Sequence, residues 1–145
     1  NIETKRRPDQ PENIGDGFDG KSPGIFEREL VELIGARRLT DRVTVQSFDH
    51  RSIWAVRMLS PTLTIAALTY QPKVELGPLA ERGANIWSPN YKMLTQELIQ
   101  KAHALGMNVI PWTVNETEDM ERLVQWGVDG IISDRPDLLR NIKRR

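Results

Sequence analysis

The chain has 145 residues, equal numbers of basic and acidic side chains (20 of each) and no cysteine. The missing cysteines exclude disulfides, thiolate metal sites and thiol catalysis. The zero net charge argues against a general nucleic-acid binder, which normally carries a basic excess. No apolar run approaches the roughly 20 residues of a membrane span, and the first residues show no signal-peptide pattern. The length predicts one domain.

The first half of the chain predicts three strands and two helices. Residues 2–5 alternate like a strand, whereas residues 6–24 hold three prolines and four glycines and predict a loop insertion. Apolar residues then recur at helical spacing and predict a helix over 25–38. They are Ile25, Phe26, Leu30, Leu33 and Ile34. A strand over 43–48, a helix that Asp49 or Ser52 caps and Pro61 ends, and a buried strand over 64–70 complete this half.

The second half continues the same alternation. A helical turn near 79–82 precedes a short strand over 84–89, and Gly106 ends a helix over 95–105. The next strand contains Pro111, which demands a sheet edge, a bulge or another irregularity. The remaining predictions are a helix capped by Asn115 or Thr117 and stopped at Gly127, a strand over 130–134, and a helix from Pro136 to Ile142 with a basic tail over 143–145.

Strands that alternate with helices predict a parallel sheet built from βαβ units. The sequence contains six such strand segments. A (β/α)8 barrel needs eight strands and typically about 250 residues, so six strands suit either an open sheet or part of a barrel. No glycine-rich phosphate fingerprint follows any strand, which weighs against a nucleotide-binding sheet.

Glu3 and Lys5 are the first candidate functional pair. Residues i and i+2 of a strand point to the same face, about 6 to 7 Å apart along the backbone. A carboxylate and an ammonium so placed could hold a divalent cation and a phosphate oxygen. The alternative is an ion pair on the protein surface, which contributes little to stability.

Further polar and aromatic residues follow other predicted strands at their carboxyl ends, where α/β enzymes place their sites. They are Phe48, Asp49, Trp112, Asn115 and Asp134. The three polar residues equally suit helix caps or turns, and the two aromatic residues suit core packing.

The two histidines, His50 and His103, fall at a helix start and in mid-helix. A capping or solvated role suits the first, and a structural role suits the second. The chain therefore lacks an obvious general acid or base that titrates near neutral pH.

Several segments resemble the glycerophosphodiester phosphodiesterase family. They are NIETK, VTVQSFD, IAALTY, NVIPWTVN and DMERLVQWGVDGIISDRPDLL. The block over residues 106–139 is the most specific. The resemblance implies a (β/α)8 TIM-barrel fold that uses a divalent cation, Ca²⁺ or Mg²⁺, to hydrolyse glycerophosphodiesters to an alcohol and glycerol 3-phosphate. It matches strands three to eight, so we expect an incomplete barrel whose first two units precede Asn1.

The resemblance also assigns roles residue by residue. Glu3 is similar to the third metal ligand of the family, and Lys5 to the residue that pairs with the phosphate. Phe48 and Trp112 are similar to apolar walls of the substrate pocket. Both family histidines and two metal carboxylates would lie upstream, so no catalytic residue is expected in this chain. Residues 11–13 look like a family Pro-Glu-Asn-Thr motif, but they lack its His-Arg-Gly context and are interpreted as insertion loop.

We therefore interpret residues 1–145 as the C-terminal part of such a domain, with an insertion over 6–24. Alone, the chain is expected to be inactive, and its open strand edges predict self-association or pairing with the missing N-terminal part. We expect a glycerophosphodiester as ligand, with no nucleic acid and no membrane span. The alternatives are another barrel phosphodiesterase, of phospholipase C or D type, or a non-catalytic open-sheet binding module. The alcohol, the metal and the compartment, whether cytoplasmic, periplasmic or secreted, stay open.

Overall fold

A computed structural model describes residues 1–7, 9–10, 13–70 and 73–142. The first two residues of the Pro-Glu-Asn segment and the basic tail over 143–145 lie outside the described residues. In the part of the chain that is described, no helix has the length and apolar character needed to cross a membrane.

The chain divides into two compact units, each described by itself. Unit 1 consists of Asn1–Leu68 with Arg82–Ala84, and unit 2 consists of Thr69–Glu81 with the chain from Asn85 onward. The described residues hold five strands, and the pairings given below within each unit are parallel.

Unit 1 is built from three parallel strands and two helices. Its elements are β1 (Ile2–Glu3), α1 (Ile25–Ala36), β2 (Thr44–Ser47), α2 (His50–Leu59) and β3 (Thr64–Thr69), whose last residue belongs to unit 2. β2 lies between β1 and β3, and Glu3 stands opposite Gln46. Buried side chains from β2, α2 and β3 form the core, among them Val45, Ile53, Val56 and Ile65. This register brings the carboxyl ends of β1 and β2 to one edge.

Helix α1 buries only part of its apolar stripe. Ile25 and Leu33 are 62% and 56% exposed, whereas Glu27 and Ile34 are buried. Glu27 and Ile34 are seven residues apart and share one face of a helix. The predicted helix is confirmed, and beside Ile34 its buried face carries Glu27, which pairs with an arginine of unit 1 inside the protein.

Helix α2 confirms its sequence signals. The Asp49 side chain accepts a hydrogen bond from the backbone N–H of Arg51 at the helix start. The helix ends at Leu59, two residues before Pro61. Asp49 therefore satisfies one of the backbone donors that a helix start leaves without a partner.

Unit 2 is built from two strands and four helices. Its elements are α3 (Leu76–Glu81), β4 (Ile86–Pro89), α4 (Gln96–Ala104), β5 (Asn108–Val109), α5 (Thr117–Trp126) and α6 (Pro136–Leu139). β4 pairs with β5 in parallel, with Ile86 opposite Asn108. The core contains Trp87, Ile99, Val109 and Leu123. Thr95, predicted as the first residue of this helix, instead precedes α4 and caps it through its side chain.

The predicted sixth strand, over 130–134, is not a regular strand in the structure. Its backbone nevertheless joins the segment after β5. The Ile132 N–H donates to the Pro111 carbonyl, and the Val114 N–H donates to the Ile132 carbonyl. Pro111 has no N–H to contribute to the ladder, so pairing on this segment is interrupted. β5 ends at Val109, two residues before that proline.

Two helix boundaries in unit 2 differ from prediction. Glu116 precedes α5 and makes no side-chain cap, so the predicted capping by Asn115 or Thr117 was wrong. The α6 helix ends at Leu139, three residues earlier than predicted. Gly127 stops α5 as predicted, with a φ of +90° that favours glycine.

Candidate functional site

Glu3 and Lys5 form an ion pair at the carboxyl end of β1. The Lys5 Nζ lies 2.9 Å from Glu3 Oε2. The Lys5 side chain is 77% exposed, and that of Glu3 is 21% exposed. The pair therefore faces solvent, with the ammonium available to an incoming anion.

The backbone geometry of the pair differs from the predicted strand. β1 ends at Glu3, and Lys5 has a φ of +55°, in the left-handed region. This conformation is uncommon for a residue with a side chain. The two side chains meet because the chain turns after Glu3, and not because both residues belong to one strand.

Thr4 fixes the turn from its buried side. The Thr4 N–H donates to the Gln46 carbonyl at 3.1 Å. The Thr4 hydroxyl donates to the Ser47 hydroxyl at 2.9 Å, and the Ser52 hydroxyl lies 3.4 Å from the Thr4 hydroxyl. Thr4, Ser47 and Ser52 are all buried. Hydrogen bonds to β2 and α2 thus hold the residue between the candidate pair.

Arg6 lies beneath the same turn and is fully enclosed. Its guanidinium donates to both carboxylate oxygens of Glu27, at 2.8 and 3.1 Å, and to both of Asp16, at 3.0 and 2.7 Å. The Phe18 ring covers it, 4.1 Å from Cζ to the ring centroid. Ser52 donates to Glu27 at 2.7 Å. We call Arg6, Asp16, Glu27 and Ser52 the Arg6 cluster.

Pairing within the Arg6 cluster shifts the pKa values of Arg6 and Asp16. Burial opposes the charged form of Arg6, but hydrogen bonds to Asp16 and Glu27 outweigh it and raise the pKa of Arg6. The hydrogen bond from Arg6 lowers the pKa of Asp16 to about 2, against an ordinary value of 3.8. Arg6 and Asp16 therefore stay ionised throughout the neutral range.

The Arg6 cluster was not predicted from the sequence. Arg6 and Asp16 lie in the segment interpreted as an insertion loop, and Glu27 lies among the apolar residues that predict helix α1. The only local signal is the single carboxylate at the start of α1, which equally suits the helix dipole.

Phe48 follows β2 directly and is 42% exposed. It stands two residues beyond Gln46, the partner of Glu3 in the sheet. Its neighbour Asp49 caps α2 and receives two further hydrogen bonds from the Arg51 guanidinium, at 2.9 and 2.8 Å. In unit 1 the structure therefore places Phe48 at the same strand edge as Glu3 and gives Asp49 a structural role.

Trp112 belongs to unit 2, where it follows β5. Its ring stacks on that of Tyr70, with centroids 5.9 Å apart and planes at 23°. Its indole N–H donates to the Ser88 carbonyl at 2.9 Å, and its backbone pairs with Asn90. Tyr70 is 68% exposed. The two aromatic rings form an apolar ledge at the carboxyl end of the strands of unit 2.

Asn115 joins two loops at the same end of unit 2. Its side-chain amide donates to Asp134 at 2.9 Å, and its carbonyl accepts from the Asp134 N–H at 3.0 Å and from the Ser133 hydroxyl at 3.2 Å. These bonds satisfy Asn115 and Asp134 within the protein. Their role is to connect the segment that follows Trp112 to the loop before α6.

The histidines contact residues of their own units. His50 Nε2 lies 2.8 Å from the Leu68 carbonyl, and its ring meets Trp54 edge-on. His103 Nε2 lies 2.8 Å from Asp129, which also accepts a hydrogen bond from the Val109 N–H. Both histidines thus make contacts that position helices α2 and α4.

The fit of a divalent cation depends on Glu3. Its carboxylate is of the oxygen type that Ca²⁺ and Mg²⁺ prefer. Among residues 1–7, 9–10, 13–70 and 73–142, no group of three or more His, Cys, Asp and Glu side chains is arranged to hold a metal. Glu3 fits one position of such a site, and the other ligands are not supplied by the described residues.

A family model described as the glycerophosphoryl diester phosphodiesterase family matches residues 25–138. A glycerophosphodiester phosphodiesterase of Caldanaerobacter subterraneus is 38% identical over 124 residues, which cover 85% of this chain and 51% of that protein. A glycerophosphodiester phosphodiesterase of Bacillus subtilis is 30% identical over 132 residues, and the match covers 84% of this chain and 45% of that protein. The chain thus spans about half the length of these curated relatives.

The structure is similar to solved structures of the same kind. A glycerophosphodiester phosphodiesterase from Parabacteroides distasonis superposes with a TM-score of 0.72 at 25% sequence identity, covering 79% of this chain and 48% of that one. The similarity confirms the predicted α/β class and (β/α)8 type, of which this chain matches a part.

Proposed function

The chain belongs to the glycerophosphoryl diester phosphodiesterase family, and from this premise we propose that it supplies part of the active site of an enzyme that hydrolyses glycerophosphodiesters to an alcohol and glycerol 3-phosphate. The observation that carries the proposal is the Glu3–Lys5 pair. It stands at the carboxyl end of β1, exposed to solvent and held by buried neighbours. Enzymes of this fold place their reacting groups at that end of the strands.

Lys5 is proposed to bind the phosphate. A phosphodiester is an anion whose oxygens gain charge in the transition state, so a fixed ammonium stabilises that state more than the ground state. The exposure of Lys5 leaves its ammonium accessible, and its 2.9 Å contact with Glu3 restricts its direction. We expect Lys5 to affect the chemical step as well as substrate binding.

Glu3 is proposed to be a ligand of a divalent cation, with the remaining ligands outside the described residues. A bound cation would polarise a phosphoryl oxygen and lower the pKa of a water molecule. The role of Glu3 itself is to offer a carboxylate oxygen to that cation while its other contact orients Lys5.

Phe48 and Trp112 are each proposed to contact carbon atoms of the substrate, and each is considered within its own unit. Phe48 is 42% exposed just after β2 in unit 1, and Trp112 stacks on Tyr70 in unit 2. Exposed aromatic rings offer apolar faces to carbon atoms, such as those of glycerol and of the leaving alcohol. Their proposed contribution is to binding and orientation.

The 145-residue chain by itself is proposed to be inactive. It offers one candidate metal ligand, and its two histidines serve helices α2 and α4. We also propose that it associates with a complementary barrel portion or with another copy of itself. Light scattering at several concentrations measures this, and a monomer at every concentration would contradict it.

The activity is tested with a single fused polypeptide. Residues 1–145 are joined to the half of the Caldanaerobacter relative that the match does not cover, and circular dichroism establishes that the fusion folds. Phosphorus NMR then follows glycerophosphocholine with Ca²⁺, with Mg²⁺ or with a chelator. We expect metal-dependent hydrolysis by the fusion and none by the 145-residue chain.

Each outcome bears on a different part of the proposal. A folded fusion without hydrolysis contradicts the activity. Hydrolysis that survives the chelator contradicts the metal role of Glu3. Turnover by the 145-residue chain at the rate of the fusion contradicts its inactivity.

A further inference from the structure

Lys5 adopts a left-handed backbone conformation that is uncommon for lysine. Its φ is +55°, and in the described part of the chain Arg38 is the only other non-glycine residue with a positive φ. A side chain in the left-handed region persists when surrounding contacts determine it. The contacts around Lys5 therefore identify what fixes the candidate phosphate ligand.

The residues on either side of Lys5 are both buried. Thr4 is 4% exposed and is bonded to β2, and Arg6 is 2% exposed and is bonded to two carboxylates. The carbonyl of Lys5 accepts a hydrogen bond from the Asn13 side chain at 2.8 Å. With both neighbours held inward, the Lys5 side chain can only point out to solvent, toward Glu3.

The anchor of Arg6 reaches both helices of unit 1. Glu27 belongs to α1, and it accepts a hydrogen bond from Ser52 of α2 at 2.7 Å. The loop packs closely against these carboxylates at Gly24. A Cβ atom at this position would lie 2.8 Å from a Glu27 oxygen and 2.9 Å from an Asp16 oxygen, so only glycine fits without a shift of its neighbours. Arg6 is thus held directly by one residue of α1 and one of the loop, and α2 supports this arrangement through the hydrogen bond from Ser52 to Glu27.

We propose that Arg6 is a positioning residue, whose forked hydrogen bonds to Glu27 and Asp16 hold Lys5 in the left-handed conformation and against Glu3. The catalytic meaning of this inference rests on the proposed function, in which Lys5 binds phosphate. Burying an ionic cluster often stabilises a protein no more than apolar packing would. We infer that an arginine follows Lys5 because its planar group, with five N–H donors, can bond to two carboxylates at once and so fix the backbone beside Lys5.

The test compares two arginine-to-lysine variants of the 145-residue chain by NMR. Arg6→Lys keeps the charge and removes the fork. Arg51→Lys is the matched control, because Arg51 also makes a bidentate contact with a buried carboxylate, that of Asp49. The Cα and Cβ chemical shifts of Lys5 report its backbone conformation, well below the unfolding temperature of each variant.

We expect Arg6→Lys to move the Lys5 shifts from left-handed toward extended values, and Arg51→Lys to leave them in place. Asp16→Asn, which keeps the bonds between Arg6 and Glu27, should produce a smaller shift in the same direction and serves if Arg6→Lys does not fold. Unchanged Lys5 shifts in the folded variants, or an equal change in the Arg51 control, would overturn the inference.

Inorganic phosphate separates this inference from the proposed function. Titration into the unaltered chain should move the Lys5 signals, and Arg6→Lys should weaken that apparent affinity at least threefold. No response in the unaltered chain counts against phosphate binding by Lys5, while the chemical shifts still decide whether Arg6 sets its conformation. An unchanged affinity in Arg6→Lys would contradict the positioning role.

Discussion

Replacement of Asp16 by asparagine tests the energetics of the Arg6 cluster most directly. The substitution keeps the size of the side chain and one acceptor oxygen, but it removes the charge that faces Arg6. The pKa of Asp16 is about 2 in the folded chain, against an ordinary 3.8. A lowering of the pKa by this amount corresponds to at most about 2 kcal/mol of stability. Solvent screening reduces this to about 1 to 2 kcal/mol.

The pH dependence of this loss follows from the direction of the shift. The folded pKa of Asp16 lies below its unfolded value, so the carboxylate stabilises the fold fully above about pH 4. The stabilisation is lost as the pH falls through about 2, where the folded carboxylate takes up a proton. We therefore expect Asp16→Asn to be less stable than the unaltered chain at pH 7, and the difference to shrink below pH 4.

Urea unfolding, followed by circular dichroism at pH 7, 5, 4 and 3, measures the difference in free energy. Asp137→Asn is the control, because Asp137 makes an equally bidentate pair with Arg135 at an exposed site. The control should change stability less at every pH. A loss in Asp16→Asn that persists undiminished at the lowest pH, or no loss at pH 7, would refute the electrostatic reasoning.

Three further substitutions test the site and the fold. Lys5→Met should leave the melting temperature nearly unchanged, since exposed ion pairs contribute roughly 0 to 1 kcal/mol. It should lower kcat of the fusion about 100-fold, whereas the surface control Lys101→Met should not change kcat. Equal kcat for the two variants would contradict the role of Lys5. Asp49→Ala removes the α2 cap and should cost about 1 to 2 kcal/mol by urea unfolding, and no loss would exclude capping. Gly127→Ala should destabilise by about 1 kcal/mol because of its positive φ, whereas Gly35→Ala, inside α1, should stabilise slightly; the reverse order would contradict the backbone assignment.

Helix α2 and helix α4 were predictable from sequence because their signals are local. Asp49 caps α2, Gly106 follows the end of α4, and apolar spacing marks the buried face of each helix. The family resemblance also located Glu3 and Lys5, and the structure brings the two side chains into contact. Features that depend only on neighbouring residues, such as helix starts, or on a motif of consecutive residues, such as Glu3 and Lys5, could therefore be predicted from the sequence.

What sequence determined about this protein is its α/β class, its family and the order of its elements. The tertiary structure alone decided that Glu27 is buried, that Lys5 is left-handed, and that residues 130–134 pair without forming a regular strand. The physical reason is distance along the chain: Arg6 meets Glu27 across 21 positions and Asp16 across 10. Periodicity and capping act over a few residues, whereas a buried ion needs partners that only folding brings to it.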